Sequence, residues 1–273
     1  MDGQNTYYSD HIKESLIDIS KDGFGSELTH TFDKNPTRIL RHNPFSTRFT
    51  TPGTIPYYFP EEFCHQIKKE CVNFKNYLFQ SMVGADHLKM NICLLHLADR
   101  LKSNHCYGQI VGPHGSGKST FIAALALVLK QQNMHLVQEV LHDKQRILPE
   151  SFWKSLSQKP ENPEKKIIAV IDGYEQLSWL QRFKLRCVCH QKHAGLILTS
   201  HKRIFSFPLL YTTRSSQEIL EQIVDYLLEL PCDFIREKTL SILMQKHKNN
   251  IRDVLFALYD LYEDQTAPLI ERG

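Results

Sequence analysis

The chain has 273 residues and a net charge of +3, with 41% hydrophobic and 23% charged residues, which is the composition of a globular protein of one or two domains. Seven cysteines without a C-x-x-C pair predict free thiols in a reducing compartment and exclude a disulfide framework. The polar N-terminus predicts no secretion signal, and the longest apolar run, 121–129, is too short to span a bilayer. We therefore expect a cytoplasmic protein without a membrane partner.

The positive charge is concentrated in the middle of the chain. Residues 100–206 contain sixteen Lys or Arg and seven Asp or Glu, whereas the segments before and after contain more acidic than basic residues. A basic centre suits a polyanionic ligand, at least a nucleotide. It permits a nucleic-acid partner without indicating one.

The first hundred residues show three kinds of pattern. Residues 1 to about 35 are polar and predict a mobile arm with one short helix at most. The next segment, 36–60, contains five prolines, which forbid a regular element, and its aromatic residues predict an extended segment lying on the core. Residues 61–104 predict two helical pieces separated near Gly84.

A glycine-rich turn follows, and it fits G-x-x-x-x-G-K-[ST] at every fixed position. A short apolar strand precedes the turn, and an Ala- and Leu-rich helix follows it. The first N–H groups of such a helix lack partners and converge on one spot, which the glycines let the backbone surround. The expected ligand is a di- or triphosphate. The predicted binding residues are Gly112, Pro113, His114, Gly115, Ser116, Gly117, Lys118, Ser119 and Thr120.

Two of these residues have more specific expected roles. Lys118 is expected to reach the β- and γ-phosphates, and the Ser119 hydroxyl to take a coordination position on Mg²⁺, which prefers oxygen ligands. His114 occupies a variable position of the motif, and we expect it to be a bystander.

Strands and helices alternate beyond the turn. Strands are predicted at 135–142, 166–172, 195–200 and 209–214, with helices at about 149–158 and 174–193. This alternation predicts a parallel sheet covered on both faces. From Gln217 onward the apolar spacing predicts helices only.

Two acidic residues lie at and just beyond the C-terminal end of the strand at 166–172. We expect this strand to lie beside the first, so that Asp172 emerges at the edge where ligands bind and holds the Mg²⁺ shell. Glu175 is the nearest carboxylate that could orient a water at the γ-phosphate, although a solvated Glu at a helix N-terminus has the same pattern. The strand at 195–200 ends with the polar residues Thr199 and Ser200, and His201 follows; one of these three could contact the γ-phosphate or that water.

The order of these features resembles the AAA+ ATPases over roughly residues 105–263. The resemblance implies a P-loop NTPase three-layer α/β fold with a C-terminal helical lid. It also implies a sensor-1 role for Thr199 or Ser200 and a sensor-2 role for Arg252 in "NNIRDVLFALYDLY". We divide the chain into an arm and proline/aromatic segment (1–60), a core with leading helices (61–214) and a lid (215–273).

The resemblance leads to one leading function and two alternatives. The expected function is an ATPase that couples Mg-ATP binding or hydrolysis to conformational change or assembly. The AAA+ pattern has Glu directly after the strand-end Asp, whereas this chain has Gly173, so either Glu175 substitutes or the protein is a non-hydrolysing nucleotide switch. A phosphotransferase acting on a small molecule is the other alternative. The chain lacks the L-S-G-G-Q signature of ABC ATPases. It also lacks a strand-end N-K-x-D, with which Ras-type GTPases recognise guanine, so ATP is favoured over GTP.

Residues 176–193 contain several basic residues, no acidic ones, and the aromatic pair Trp179 and Phe183. Three interpretations remain open: a solvated helix covering the sheet, a surface for nucleic-acid phosphates, or an arginine donated to a neighbouring subunit of a homo-oligomer.

Overall fold

The computed structural model describes residues 43–70, 85–158, 165–228, 232 and 234–270. The predicted arm and the break near Gly84 lie outside this range. The elements, in chain order, are α1 (Thr47–Thr50), α2 (Glu61–Glu70), α3 (Ala85–Ser103), β1 (Tyr107–Val111), α4 (Lys118–Gln131), β2 (Met134–Val140), α5 (Glu150–Ser157), β3 (Lys166–Asp172), a 3-10 turn (Tyr174–Gln176), α6 (Trp179–Gln191), β4 (Gly195–Ser200), β5 (Leu209–Thr212), α7 (Gln217–Leu227), α8 (Glu237–Lys246) and α9 (Ile251–Ile270).

The five strands form one parallel sheet in the order β2-β3-β4-β1-β5. The predicted α/β fold class is therefore confirmed. The expectation that β3 lies beside β1 is wrong, because β4 lies between them and pairs with both. Hydrophobic periodicity identifies strands but carries no information on their lateral order, which the crossover helices determine.

Helices cover both faces of the sheet. In β3 and β4 successive buried side chains alternate between two hydrophobic clusters, as the period of two in a strand requires. The cluster on one face combines Ile168, Val170 and Ile197 with Leu97, Leu101, Phe121 and Leu125 of α3 and α4. The cluster on the other face combines Ala169, Ile171, Leu196 and Leu198 with Phe152, Leu156, Leu185 and Cys189 of α5 and α6.

Residues 43–60 connect this core to the lid. Phe45 and Ile55 are buried in the hydrophobic cluster of α7, α8 and α9. Tyr57 and Phe59 instead pack on Phe121 of α4, with ring centroids 5.1 and 6.1 Å away. One short segment therefore touches both regions, and we call residues 43–60 the strap.

Two local predictions need correction. The prediction of no regular element in 36–60 is wrong for α1, because the run between Pro44 and Pro52 keeps its N–H groups and forms one helical turn. The helix predicted at 174–193 begins only at Trp179. Gly173 redirects the chain with a left-handed φ of +85°, and Ser178 caps the new helix by accepting a bond from the Gln181 N–H.

The C-terminal helices α7, α8 and α9 pack around their own apolar core, as predicted from Gln217 onward. None of the described helices is long and apolar enough to cross a bilayer.

Candidate nucleotide-binding site

The glycine-rich turn leads from β1 directly into α4. Gly115 and Gly117 have φ values of +68° and +84°, a region that side chains rarely enter. The Ser116 side chain is buried, donates to the Pro113 carbonyl over 2.8 Å, and bonds the Thr213 hydroxyl over 2.6 Å. These contacts fix the conformation of the loop around the first turn of α4. The N–H groups of that turn can therefore face a phosphate.

The Lys118 side chain folds back over this loop. Its ammonium group donates to the carbonyls of Gly112 and Pro113 over 2.8 and 2.7 Å. Burial lowers the pKa of Lys118 and the nearby charge of Arg252 adds to the lowering, while Glu175 and Asp172 act in the opposite direction. A cation in this position is available to a phosphate group that enters the loop.

Asp172 joins three elements of the site. The Ser119 hydroxyl donates to its Oδ2 over 2.5 Å, and the Thr199 hydroxyl donates to its Oδ1 over 2.5 Å. Thr199 in turn accepts the Gly173 N–H over 2.8 Å. The end of β3, the end of β4 and the first turn of α4 are thus connected through one carboxylate.

The structure distinguishes the two polar residues that end β4. Thr199 is fully buried and contacts Asp172, whereas Ser200 donates to the Lys202 carbonyl and closes its own turn. Thr199 therefore belongs to the site, but its hydroxyl is occupied in fixing Asp172.

Glu175 lies on the 3-10 turn after β3. Its Oε1 is 2.9 Å from Nε2 of His201. Its Oε2 is buried and has no hydrogen-bond partner in the part of the chain that the structure describes. A buried oxygen without a partner is costly unless a ligand or water fills the gap, so this atom is a candidate acceptor in the site.

His201 was one of three candidate polar residues at the end of β4, and the structure places it in the site beside Glu175. Its ring lies against that of His114, with centroids 3.6 Å apart and an angle of 35° between the ring planes. Partial desolvation of the His114 ring, followed by the neighbouring His201 and Lys118, lowers the pKa of His114. His114 is thus in contact with His201, and its expected role as a bystander, as opposed to an acid or base, stays a prediction.

The lid reaches the loop through the start of α9. The side chain of Asn250 lies against Gly115, where an added Cβ would stand 1.6 Å from its Oδ1. Asn250 also donates to the Asp253 carboxylate over 2.7 Å. Arg252 is exposed, and within the described residues it has no hydrogen bond or ion pair.

The remaining predicted loop residues lie at its margin. Pro113 and His114 are exposed, and Thr120 is half-buried in the first turn of α4. The ring of Tyr57 from the strap comes within 3.4 Å of where a Cβ on Gly117 would be. The strap thus borders the loop beside α4.

The basic residues of α6 are partly engaged within the protein. Arg182 donates to the carbonyls of Leu177 and Glu175, and Arg186 bonds Ser206. Lys184 lies 4.4 Å from the ring of Trp153. These contacts favour the covering role of α6 over the two alternatives that need free arginines.

Thr213 and Asn250 were absent from the predicted site, and His201 was predicted only as one of three candidate polar residues at a strand end. Thr213 and His201 follow the ends of β5 and β4, at the sheet edge where the other site residues emerge, and that position was the available signal. Asn250 directly precedes a helix, which is typical of a cap, but its contact with Gly115 depends on how the lid packs.

No family model and no curated protein matches this chain. Among solved structures, Drosophila ORC bound to DNA is similar with 12% identity over 77% of this chain and a TM-score of 0.46; the match spans 64% of that chain. A DNA replication initiation factor is similar with 15% identity over 73% of this chain and 68% of its own, and a TM-score of 0.41. Such distant similarities do not bear on function.

The resemblance to AAA+ P-loop ATPases is carried by the chain's own features. These features are the glycine-rich turn between β1 and α4 (residues 112–119, which we call the phosphate loop), the strand-end Asp172 bonded to Ser119, and a helical lid that contacts Gly115.

Proposed function

We propose that this protein is an AAA+-like ATPase in which the binding or hydrolysis of Mg-ATP drives conformational change or assembly. The observation that carries the proposal is the position of Asp172, bonded to Ser119 of the phosphate loop and to Thr199 of β4. Close by, Glu175 presents a buried carboxylate oxygen that lacks a partner among the described residues. Binding and water-orienting groups therefore meet at one edge of the sheet.

The loop fits a triphosphate. Gly115 and Gly117 supply the left-handed backbone positions that let N–H groups converge, and Lys118 supplies the charge. An incoming phosphate would replace the Gly112 and Pro113 carbonyls as the partner of the Lys118 ammonium. The Lys118 ammonium now bonds two neutral carbonyls, whereas a phosphate oxygen carries the opposite charge, which favours that exchange.

The donor set also fits Mg²⁺. Ser119 and Asp172 bring a hydroxyl and a carboxylate together, and these are oxygen ligands of the kind that the ion prefers. When bound, the ion would neutralise phosphate charge. Ser119 would hold it directly, and Asp172 would hold its water shell.

Glu175 is the proposed water-orienting residue. Its free Oε2 can accept a hydrogen bond from a water that approaches the loop, and its charge lies close enough to Lys118 to influence that residue's pKa. Gly173 directly follows Asp172, so no carboxylate stands at the next position along the chain. This observation supports a non-hydrolysing switch as the second candidate.

Arg252 is the proposed link between nucleotide and lid. A cation in the first turn of a helix is disfavoured by the helix dipole, and this one has no acidic partner among the described residues. An anionic γ-phosphate beneath the lid would satisfy it. In this role Arg252 would close the lid on ATP. The proposed change of assembly state would accompany that closure.

The experiment measures two quantities on the purified protein: phosphate release from Mg-ATP with no acceptor added, and molecular size with ATP, with ADP and without nucleotide. An ATPase releases phosphate without an acceptor, whereas a phosphotransferase needs one. Tight binding together with a size change and no turnover would select the switch. Unchanged size in all nucleotide states would remove assembly from the proposal.

A further inference from the structure

The proposed water-orienting carboxylate does not sit on the sheet itself. Gly173 leaves β3 in a left-handed conformation, and a short 3-10 turn carries Glu175. Neither a strand nor a long helix fixes its side chain. Because water activation needs an accurately placed base, another group must aim this carboxylate.

His201 is placed to do so. Its Nε2 lies 2.9 Å from Oε1 of Glu175, and both side chains are more than two-thirds buried. The other carboxylate oxygen, Oε2, has no partner among the described residues. One oxygen of Glu175 is therefore tethered while the second remains free to accept a hydrogen bond.

The opposite side of the His201 ring faces the phosphate loop. Its Nδ1 lies 3.3 Å from the Lys118 ammonium and 3.2 Å from the Gly112 carbonyl oxygen. With the ring proton on Nε2, that nitrogen donates to Glu175 and Nδ1 accepts from Lys118. The Gly112 carbonyl then makes no bond to Nδ1 and instead accepts from the same Lys118 ammonium. The His114 ring lies against His201 on a further side, with centroids 3.6 Å apart.

We infer that His201 is a positioning residue that ties Glu175 to the phosphate loop and leaves Oε2 of Glu175 aimed at the attacking water. This inference rests on the proposed ATPase function. His201 acts by restricting rotation of the carboxylate, and Lys118 holds the far side of its ring. The tether explains how a carboxylate three residues beyond Asp172 can serve where the AAA+ pattern has Glu directly after the Asp.

Three substitutions of His201 separate its two contacts. His201→Gln keeps an amide N–H where Nε2 stands and so retains the bond to Glu175. His201→Asn keeps an amide where Nδ1 stands and retains only the contact with the loop. His201→Ala removes both contacts. Thermal melting and the Kd for Mg-ATP show whether each variant keeps its fold and its binding site.

Alanine and Asn at position 201 are expected to lower kcat by up to about 100-fold, the cost of a misplaced catalytic group, with little change in KM. Gln is expected to restore most of kcat. The control is His190→Ala on the exposed face of α6, for which activity should be unchanged. Equal losses in the Gln and Asn variants would overturn the inference, since the bond to Glu175 would then be irrelevant.

A double variant tests whether His201 acts through Glu175. In the Glu175→Gln background, His201→Ala should reduce turnover no further, because the group it positions is already gone. A further reduction as large as that in the wild type would show that His201 acts independently, and it would overturn the positioning role.

The hydrogen bond between His201 and Glu175 can also be tested without measuring turnover. Nitrogen-15 NMR of the His201 ring in the nucleotide-free protein at neutral pH should show the proton on Nε2, and Glu175→Gln should shift that resonance. A proton on Nδ1, or no shift in the variant, would overturn the pair. If the wild type neither binds nor hydrolyses ATP, the proposed function fails, and the NMR result still decides whether the pair exists.

Discussion

The phosphate loop is approached by two regions whose polar groups are satisfied in different ways. At the sheet edge, both oxygens of Asp172 accept hydroxyl groups from Ser119 and Thr199. In the lid, Arg252 is exposed and has no bonded partner among the described residues. The lid contacts the loop chiefly through the Asn250 side chain that lies on Gly115.

The groups at the sheet edge are thus already paired in the protein, whereas the Arg252 charge in the lid is left for a ligand. The sheet edge positions its groups before any ligand arrives, which is what electrostatic stabilisation of a reaction requires. The lid offers a charge whose best partner is a ligand. We therefore expect substitutions at the sheet edge to affect chemistry and metal dependence, and substitutions in the lid to affect the distinction between nucleotides.

The largest effect is expected from Glu175→Gln. Loss of the water-orienting carboxylate should lower turnover by about 10²–10⁴-fold, the usual contribution of a general acid–base group, while Mg-ATP affinity stays near that of the wild type. Single-turnover phosphate release and equilibrium binding measure the two quantities. Unchanged turnover would make Glu175 a surface residue and favour the switch.

Asp172→Asn should have the next largest effect. The amide keeps the shape of the side chain but loses its charge, so Mg²⁺ should be held about 10- to 100-fold less tightly, as for other outer partners of a metal site. Titration of turnover against Mg²⁺ concentration measures this shift. The same titration on Ser200→Ala, which removes a hydroxyl that donates to the Lys202 carbonyl, is the matched control. A Mg²⁺ requirement unchanged in Asp172→Asn contradicts the metal role.

The contact between lid and loop can be broken at Gly115. Gly115→Ala adds a Cβ where Asn250 already lies, in a backbone region that strains any side chain. Gly53→Ala imposes the same kind of strain, but its Cβ meets nothing closer than 3.8 Å. We expect Gly115→Ala to cost about 1–3 kcal/mol of unfolding free energy more than the control, as overpacking does.

Denaturant unfolding of the two variants measures that difference. The double variant Gly115→Ala with Asn250→Ala should recover most of it, because the obstructing side chain is gone. Equal losses at positions 115 and 53 would mean that the lid does not press on the loop.

The smallest of these effects is expected from Arg252→Ala. ATP affinity should fall by about tenfold, equivalent to roughly 1.4 kcal/mol, because a charge-assisted contact to the γ-phosphate is lost. ADP lacks that group, so its affinity should change much less. Competition binding with both nucleotides measures the ratio. A similar fall for ATP and ADP points to a disturbed lid instead.

At the sheet edge, the sequence predicted the residues that belong to a short local pattern. Ser119 follows from the loop motif, and Asp172 ends an apolar run that is typical of a buried strand. His201 stood beside Thr199 and Ser200 at the end of β4, but its partner Glu175 lies on the 3-10 turn after β3. Recognising the pair required knowing that β4 lies between β1 and β3, which periodicity does not give.

The lid was less predictable for the same reason. Apolar spacing gives its helices, since each must bury one face. The contact of Asn250 with Gly115 and the burial of Phe45 and Ile55 against the lid depend on how distant segments dock. Propensity and periodicity act over a few residues and cannot specify such contacts.

The proposed ATPase function depends most directly on the binding of a nucleotide by the Lys118 ammonium at the phosphate loop. Mg-ATP binding and acceptor-free phosphate release should be measured side by side for the wild type and Lys118→Ala. The account predicts binding and release by the wild type, and at least about 100-fold weaker binding by a variant that still unfolds cooperatively, since two charged contacts of roughly 1.5 kcal/mol each are lost. Equal Mg-ATP affinity in the two proteins would contradict it.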